Sequence, residues 1–318
     1  MAAPEIMLTH LDEPLFDGAE ATKRDLVDYL EAVADRIVPV LSSRPLSVIR
    51  VRAGQRPFMQ KNVPGYAPPW INTVSMWADS SHREVRYALC EDKPTLIWFA
   101  NQRAVEYHVT LGTVGHLDRP SYLVLDIDPP TGREFGRAVA AARLVREALS
   151  GAGLAGAVKT SGAKGVHIYV PVGESVSADD AAAATRALAE RAARLDPGLA
   201  TTAFIKADRG GMVFIDSTRA HGATVVAAYS PRARPGVPVS FPVAWDLLDE
   251  VSPGDFTVRH AAQLLADTDP WAAALRSPQT LPDDLIAEGR TIPVARVQAM
   301  HEGKRRARAQ RSSPHADV

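Results

Sequence analysis

A short apolar run, Ser121-Tyr-Leu-Val-Leu-Asp-Ile-Asp-Pro-Pro130, organises the pattern of the chain, and its β-rich composition predicts a buried strand. Side chains alternate between the two faces of a strand, so Asp126 and Asp128 share one face, about 6.6–6.8 Å apart along the strand. Two carboxylates on one face are costly to bury unless a cation compensates their charge. Pro129 and Pro130 cannot continue a ladder. Both acids are therefore expected at the carboxyl end of the strand, where open α/β sheets bind ligands.

The remaining apolar patterns predict helices and strands in no regular alternation. Helical spacing predicts helices over 22–38, 134–150, 177–195 and 258–265. β-Rich runs predict strands over 45–51, 157–160, 166–170, 203–206, 212–215 and 224–228, while 95–99 and 105–109 are predicted as short strands or a strand and a helix. Residues 53–83 are rich in proline, glycine, tryptophan and polar groups, which predicts a long functional or mobile loop. This order favours an α+β fold over a repeated βαβ fold.

Composition and charge narrow the classes of function. The 318 residues are 46% hydrophobic, enough for a sizeable core, and the net charge is −1, so any nucleic-acid contact must come from a local basic patch. Cys90 is the single cysteine, which excludes a disulfide framework or a cysteine zinc cluster and fits a reducing cytoplasm. No signal-peptide pattern is present, and no apolar run approaches the roughly 18 residues of a membrane helix. The expectation is a cytoplasmic protein with no membrane partner.

A third acid helps to decide between the chemistries that an Asp-x-Asp strand end supports. Asp216 ends a second apolar strand, so three carboxylates are expected at strand ends. Such an oxygen-rich site suits Mg²⁺ or Mn²⁺, and two ions about 3.5–4 Å apart clamp the attacking and leaving oxygens of a phosphoryl transfer. Taken alone, the pattern also fits a solvent-facing strand end, a nucleotide-sugar transferase, or a haloacid-dehalogenase phosphatase with Asp126 as nucleophile.

Basic residues that suit phosphate binding lie in two regions. In the segment 160–167, glycines on both sides of Lys164 let backbone N–H groups and an ammonium approach a phosphate, and His167 is placed to donate to another phosphate oxygen. Farther along the chain, Arg209, Arg232 and Arg234 add guanidinium groups, which suit phosphate geometry. The alternatives are an ordinary hairpin turn with a satisfied histidine, and a solvated loop for any one of the arginines.

Aromatic and basic residues are interleaved in the long polar segment. The residues concerned are Phe58, Trp70 and Trp77 with Arg52, Arg56 and Lys61. This mixture suits stacking on unpaired bases. The alternative is that the rings anchor the segment to the core. For His108, the spacing slightly favours a core histidine over a ligand contact.

Four motifs occur in a fixed order: Leu125-Asp-Ile-Asp-Pro129, Ser161-Gly-Ala-Lys-Gly-Val-His167, Val213-Phe-Ile-Asp216 and Tyr229-Ser-Pro-Arg-Ala-Arg234. Together they resemble the archaeo-eukaryotic primase superfamily. More narrowly, they resemble the polymerase module of bacterial LigD end-joining ligases and the stand-alone primase-polymerases associated with LigC-type ligases. The resemblance implies an RRM-like α+β core with mixed or antiparallel sheets flanked by helices. It implies a single catalytic domain over 1–290, with the region 1–90 wrapped on the core, followed by a basic, mobile tail over 291–318.

The resemblance also implies a template-dependent nucleotidyltransferase that extends primers, fills short gaps in DNA repair and prefers ribonucleotides. It assigns Asp126, Asp128 and Asp216 to two Mn²⁺ or Mg²⁺ ions. The implied nucleotide contacts are Phe58 at the base, His108 and Ser161 at the ribose, and Lys164, His167, Arg209 and Arg232 at the triphosphate. The implied DNA contacts are Lys23, Met59, Lys61 and Arg234. The expected partners are nucleoside triphosphates and gapped, nicked or broken DNA, with an ATP-dependent DNA ligase and Ku as further candidates. The expected location is the bacterial cytoplasm, at the nucleoid.

The sequence departs from the family pattern near its amino end. The family recognises a 5′-phosphate across a gap with a polar residue and two lysines, and the matching positions here are His10, Glu13 and Lys23. Glu13 places negative charge where a cation is expected. In addition, Met59 replaces a family aromatic and Ile49 replaces a family lysine. These departures favour a stand-alone gap-filling enzyme. The alternatives are an end-joining polymerase at double-strand breaks, a haloacid-dehalogenase phosphatase and a non-catalytic DNA-end binding module.

Overall fold

The computed structural model describes residues 6–52, 54–78, 82–222, 224–265, 267 and 269–294. The helices are α1 (Lys23–Ala32), α2 (Ala34–Leu41), α3 (Lys93–Asn101), α4 (Phe135–Gly151), α5 (Ala178–Leu195), α6 (Pro270–Ala274) and α7 (Asp283–Thr291). The strands are β1 (Leu46–Arg52), β2 (Gln55–Gln60), β3 (Thr73–Ala78), β4 (Arg83–Ala88), β5 (Ala104–Thr110), β6 (Tyr122–Asp128), β7 (Ala157–Thr160), β8 (Val166–Pro171), β9 (Ala200–Thr201), β10 (Val213–Asp216), β11 (Thr224–Val226) and β12 (Pro242–Val243). Most of the predicted basic tail, 295–318, lies outside the described residues.

The strands form two sheets. The first has the order β11-β5-β1-β4-β3, with β2 also paired to β1, and the second has the order β12-β7-β8-β6-β10-β9. Neighbouring strands run antiparallel except for the short parallel pair of β9 and β10. Helices α2 and α3 pack on β5, and α4 and α5 pack on β6. This arrangement confirms the predicted α+β class with sheets flanked by helices.

The catalytic strand expected from the sequence, β6, lies inside the second sheet between β8 and β10. Leu123, Leu125 and Ile127 are buried in the core shared with α4 and α5. On the opposite face, Val124 belongs to the core of the first sheet. The predicted alternation is therefore confirmed, and the aspartates of β6 face the space between the two sheets because they share the face of Val124.

Several predicted elements agree with the structure to within one or two residues. The helix predicted over 134–150 is α4, and the helix predicted over 177–195 is α5, whose N-cap Ser177 accepts a hydrogen bond from the Asp180 N–H. Of the two alternatives for 95–109, the structure forms a helix followed by a strand, because Asp92 caps the amino end of α3. The glycine-lysine segment joins β7 to β8, as predicted.

Four predicted elements are wrong. The helix over 22–38 is interrupted at Val33, and Pro39 lies inside α2 instead of ending the helix. The loop over 53–83 contains β2 and β3, which pair with the neighbouring strands β1 and β4 but bury too few side chains to show an apolar alternation. Residues 203–206 do not form a strand, because β9 takes the pairing position beside β10. The helix over 258–265 is reduced to a single 3₁₀ turn at Ala261–Leu264.

Candidate active site

Four polar side chains form a row across the second sheet. His167 of β8 and Asp216 of β10 lie directly opposite Asp126 of β6, one on each side, and Lys159 of β7 lies opposite His167. Residues that are directly opposite point to the same face, with Cβ atoms about 4.5–5.5 Å apart. The register therefore brings two carboxylates of distant sequence motifs within reach of a single cation.

A pocket of about 370 Å³ opens over this row. It brings together most of the residues predicted to bind metal or nucleotide: Asp126, Asp128, His108, Ser161, Lys164, His167, Arg232 and Arg234. Arg219 and Ala163 also line it, together with β11. The other predicted residues, Asp216, Phe58, Arg209, Lys23, Met59 and Lys61, are not among the described residues that line the pocket.

Asp126 is buried, and both of its oxygens are engaged. Its Oδ1 lies 3.3 Å from His167 Nε2, and its Oδ2 accepts a 2.7 Å hydrogen bond from a terminal nitrogen of Arg219. The same nitrogen lies 2.9 Å from Asp216 Oδ2. Burial raises the pKa of Asp126, but contact with His167 and Arg219 lowers it by more, so the pKa lies well below its usual value. One guanidinium thus bridges two of the three expected metal ligands.

His167 does not supply a positive charge to this cluster at neutral pH. Burial lowers the pKa of its ring, the nearby Lys159 lowers it further, and Asp126 only partly opposes both effects, so the pKa falls to about 4. The ring is neutral at pH 7 and acts on Asp126 as a hydrogen-bond donor. The charge that balances Asp126 and Asp216 is therefore the guanidinium of Arg219.

Asp128 differs from Asp126 in its surroundings. Burial and the negative charge of Asp126 raise its pKa, while Lys164 and Arg209 only partly oppose this rise. The Lys164 ammonium lies 3.5 Å from Asp128 Oδ1 and donates a 2.8 Å hydrogen bond to the Pro129 carbonyl. The pKa of Asp128 is thus raised even though Lys164 lies beside it, because burial and the charge of Asp126 outweigh the two cations.

The loop between β7 and β8 is stabilised by hydrogen bonds between the Ser161 side chain and the loop backbone. The Ser161 hydroxyl accepts hydrogen bonds from the N–H groups of Ala163, at 3.2 Å, and Gly165, at 3.1 Å. A Cβ atom added at Gly165 would lie 2.0 Å from the Ile127 carbonyl oxygen, so only glycine lets the loop approach β6 this closely. This contact places Lys164 beside Asp128.

Replacing Gly165 with alanine is expected to push this loop away from β6. Because Ser161 and Lys164 move with the loop, kcat/KM for the nucleotide should fall by roughly 10- to 100-fold while the protein remains folded. Steady-state primer extension and a thermal melt measure the two effects. Gly132→Ala is the matched control, because its Cβ would only meet Lys164 Cβ at 3.9 Å. Equal kinetics in both variants would contradict the expectation.

A buried carboxylate connects two predicted nucleotide contacts from different sheets. Glu106 of β5 is 4% exposed, and its Oε2 lies 2.9 Å from His108 Nε2 and 3.1 Å from Arg232 Nε. Burial raises the pKa of Glu106, but the hydrogen bond from His108 and the charge of Arg232 bring it down to about 2. Arg232 also donates to the Ser161 carbonyl. One guanidinium thereby joins the first sheet to the loop of the second.

Arg209 and the residues of β2 lie outside the pocket lining. The Arg209 guanidinium stacks 3.7 Å from the centre of the Phe214 ring and donates to the carbonyls of Ala203 and Phe204. On β2, Phe58 and Met59 are exposed, at 37% and 46%. Arg50 and Arg52 lie 5.9 and 5.6 Å from the Phe58 ring, so this exposed aromatic sits in a positive environment. Lys61, just beyond β2, is also exposed.

At the amino end, the groups at the predicted 5′-phosphate positions contact each other and the backbone. Glu13 pairs with Arg103 and lies 2.9 Å from His10 Nδ1. Lys23 is 2% exposed, and its ammonium donates to the Thr9 carbonyl. The cations of this region are therefore already committed to partners within the protein.

The carboxylate oxygens of the site suit divalent cations, although in this structure they contact the guanidinium of Arg219. Carboxylate oxygens suit Mg²⁺ and Mn²⁺. Asp126 and Asp216 already share one cationic nitrogen, which demonstrates that their oxygens converge on a common position. Within the described part of the chain, no group of three or more His, Cys, Asp or Glu residues stands ready to hold a metal ion. Cation binding at this point requires the side chain of Arg219 to move.

Known proteins resemble this chain across most of its length. Residues 22–271 match the LigD primase-polymerase domain family. The chain is 33% identical over 260 residues to the bifunctional non-homologous end joining protein LigD of Bacillus subtilis (strain 168), an alignment covering 80% of this chain and 41% of that protein. It is 30% identical over 278 residues to the multifunctional non-homologous end joining protein LigD of Pseudomonas aeruginosa, covering 85% and 33%. The chain thus spans well under half the length of these relatives.

A solved structure shares the fold. The polymerase domain of Mycobacterium tuberculosis Ligase D, in complex with DNA, aligns with a TM-score of 0.77 and 29% identity, covering 86% of this chain and 99% of that one. Fold and matches together define a nucleotidyltransferase of the DNA-directed polymerase and primase class. Within this class, the chain belongs to the LigD primase-polymerase domain family. The matches lend no support to the phosphatase hypothesis. No helix in the described ranges is long and apolar enough to cross a membrane.

Three residues of the site were missed from the sequence: Arg219, Glu106 and Lys159. Arg219 follows Asp216 by three positions, and an arginine so close to a predicted metal ligand is a signal that was available. Glu106 lies two positions before His108, so the alternation of a strand places both on one face. Lys159 interrupts an apolar strand, and a charged residue in a buried run is itself informative.

Proposed function

We propose that this chain is a template-dependent primase-polymerase that extends primers and fills short gaps during bacterial DNA repair, with a preference for ribonucleotides. The observation that carries the proposal is the pocket itself. Three aspartates lie at or beside one wall, and the cationic groups of Lys164, Arg232 and Arg234 line the remainder. Phosphoryl transfer depends on positioning and charge neutralisation more than on covalent help from the protein, and this arrangement supplies both.

In this proposal, Asp126, Asp128 and Asp216 hold two Mn²⁺ or Mg²⁺ ions. The bound ions supply Lewis-acid activation and neutralise the charge of the attacking and leaving oxygens. Lys164, His167 and Arg232 hold the triphosphate, with Arg209 nearby. His108 and Ser161 lie at the ribose, and Phe58 stacks on the incoming base from β2.

The DNA contacts of the proposal are Met59, Lys61, Arg234 and Lys23. Exposed Lys61 adds a positive charge to the surface around Phe58, and exposed Met59 offers an apolar contact to a template strand. Arg234 lies on the pocket wall and is available to a nucleic-acid phosphate. Lys23 fits this role less well, because its ammonium is buried against the Thr9 carbonyl.

The test is nucleotide incorporation on a labelled primer–template with a short gap. Ribonucleotides are compared with deoxyribonucleotides, and Mn²⁺ with Mg²⁺. Templated extension supports the proposal. DNA binding without incorporation under any metal would replace it with the non-catalytic end-binding module, and release of phosphate from a generic ester without template would revive the phosphatase.

Extension is expected to be insensitive to a 5′-phosphate at the far side of the gap. Because Glu13 is paired with Arg103 and Lys23 is turned into the protein, rates with a 5′-phosphate and a 5′-hydroxyl should differ by less than about fivefold. Glu13→Gln removes the acid that pairs with Arg103 and His10 and should introduce stimulation by the phosphate. Strong stimulation of the unmodified protein would contradict this expectation.

That contradiction would favour the second candidate function, an end-joining polymerase at double-strand breaks. The observation in its favour is the similarity to relatives named for non-homologous end joining. In either function, an ATP-dependent DNA ligase would seal the product. Ku is the proposed partner in the second function, and the proposed location in both is the cytoplasm at the nucleoid.

A further inference from the structure

Lys159 is a fully buried lysine that the proposed mechanism does not use. It lies on β7 with 0% exposure, directly opposite His167. Burial lowers the pKa of its ammonium well below the ordinary value of lysine, and the charge of Arg232 lowers it further. Burying such a group is costly unless its hydrogen atoms find partners. Its surroundings therefore indicate which contacts offset that cost.

The three partners of the Lys159 nitrogen are uncharged groups. It lies 2.8 Å from His167 Nδ1, it donates to the Ser240 hydroxyl, and it faces the Tyr169 ring at 5.7 Å from the ring centre. Ser240 passes its own hydrogen to the Thr160 carbonyl, at 2.8 Å, so its oxygen is free to accept from lysine. Lys159 thus donates to Ser240 and lies within hydrogen-bond distance of His167 Nδ1.

These contacts determine which nitrogen of His167 carries the hydrogen. The Lys159 ammonium has hydrogens and no lone pair, so at 2.8 Å it donates to the lone pair of Nδ1. A ring whose Nδ1 accepts carries its hydrogen on Nε2. Nε2 lies 3.3 Å from Asp126 Oδ1, an oxygen that can accept this hydrogen. At 2.8 Å the lysine contact is the shorter of the two, so it is the stronger restraint on the ring.

We propose that Lys159 is the positioning residue of His167, holding its ring with Nδ1 as acceptor so that Nε2–H faces the pocket. The inference rests on the proposed function, in which His167 contacts the triphosphate. Once Asp126 turns its oxygens to a metal ion, Nε2–H is the donor left for a phosphate oxygen. The other tautomer would instead present a lone pair to that oxygen, which is repulsive.

The first test is the tautomer in the metal-free protein as it exists. Nitrogen-15 NMR with labelled histidine distinguishes a protonated from an unprotonated ring nitrogen, and the signals lost in His167→Ala identify the residue. The expected result is Nε2–H with Nδ1 unprotonated. A protonated Nδ1 would overturn the proposal whether or not any variant folds, and the measurement does not depend on activity.

The second test is kinetic and uses Lys159→Met, which keeps the length of the side chain and removes the donor. The nucleotide kcat/KM should fall by roughly 10- to 100-fold. Adding Lys159→Met to His167→Ala should cause little further loss, because the lysine acts through the histidine. If the fold-losses in kcat/KM of the two single variants multiply in the double variant, Lys159 acts independently of His167, and its role is merely structural.

Ser240→Ala is the matched control, because it removes another buried partner of Lys159 and leaves the contact with His167. It should change kcat/KM by less than about fivefold. A loss as large as that of Lys159→Met would overturn the proposal, since it would trace the effect to buried polar packing. If the unmodified protein incorporates no nucleotide, the proposed function fails, whereas the NMR result still decides the position of the hydrogen.

Discussion

Asp126→Ala is expected to reduce primer extension by at least about 1,000-fold while leaving DNA binding largely intact. Asp126 is the central member of the row, flanked in register by His167 and Asp216. Asp126 also contacts both His167 and Arg219. Its removal eliminates an expected metal ligand and leaves Arg219 with Asp216 alone. The substitution removes none of the positive groups proposed to contact DNA, so binding should persist.

Single-turnover extension and a fluorescence binding titration separate the two effects. Asp179→Asn is the matched control, because Asp179 is an acid in the first turn of α5 whose side chain is 91% exposed. It should behave like the unmodified protein in both measurements. Extension by Asp126→Ala within about tenfold of the unmodified rate would show that the chemistry is not centred on this carboxylate.

Arg219→Gln is expected to raise the affinity of the nucleotide-free protein for Mn²⁺ by at least about tenfold. In the present structure, one nitrogen of Arg219 lies 2.7 Å from Asp126 and 2.9 Å from Asp216. A metal ion that uses the same two oxygens must displace this guanidinium, so the arginine competes with the ion. Glutamine removes the competing charge and leaves both carboxylates in place.

Calorimetry or electron paramagnetic resonance measures the affinity directly. Without metal, Arg219→Gln should also melt at a lower temperature, because two buried carboxylates then face each other uncompensated, and Mn²⁺ should restore the loss. Arg234→Gln is the matched control: it removes a cation from the pocket wall but none from these oxygens. An affinity that is unchanged in Arg219→Gln, or raised equally in both variants, would contradict direct competition.

The parts of the site that the sequence predicts are those encoded locally. Asp126 and Asp128 follow from strand alternation, and the prolines after them mark the end of β6. The glycines around Lys164 predict a close approach of a phosphate, and the structure shows a different close approach, of Gly165 to the Ile127 carbonyl oxygen. Each of these conclusions needs only a few neighbouring residues.

Contacts between distant segments could not be predicted in this way. Glu106 and Arg232 are far apart in the sequence, and no periodicity relates them. The exposed strand β2 has no apolar alternation because it buries neither face, so its pattern resembled that of a loop. In 203–206, β propensity was overridden because the position beside β10 was taken by β9.

Arg232 contacts both Glu106 and the Ser161 loop, and it therefore lies at the boundary between the two sheets. Nucleotide selection and phosphoryl transfer are proposed to lie mainly on different sides of this boundary. In the proposed function, the base contact Phe58 and the ribose contact His108 belong to the first sheet. The aspartates and the other ribose contact, Ser161, belong to the second sheet and its β7–β8 loop. On the proposed roles, substitution of Phe58 or His108 is expected to alter which nucleotide is chosen while the aspartates stay in place. For redesign in the laboratory, the first sheet is then the place to change nucleotide preference, and the second sheet keeps the metal ligands.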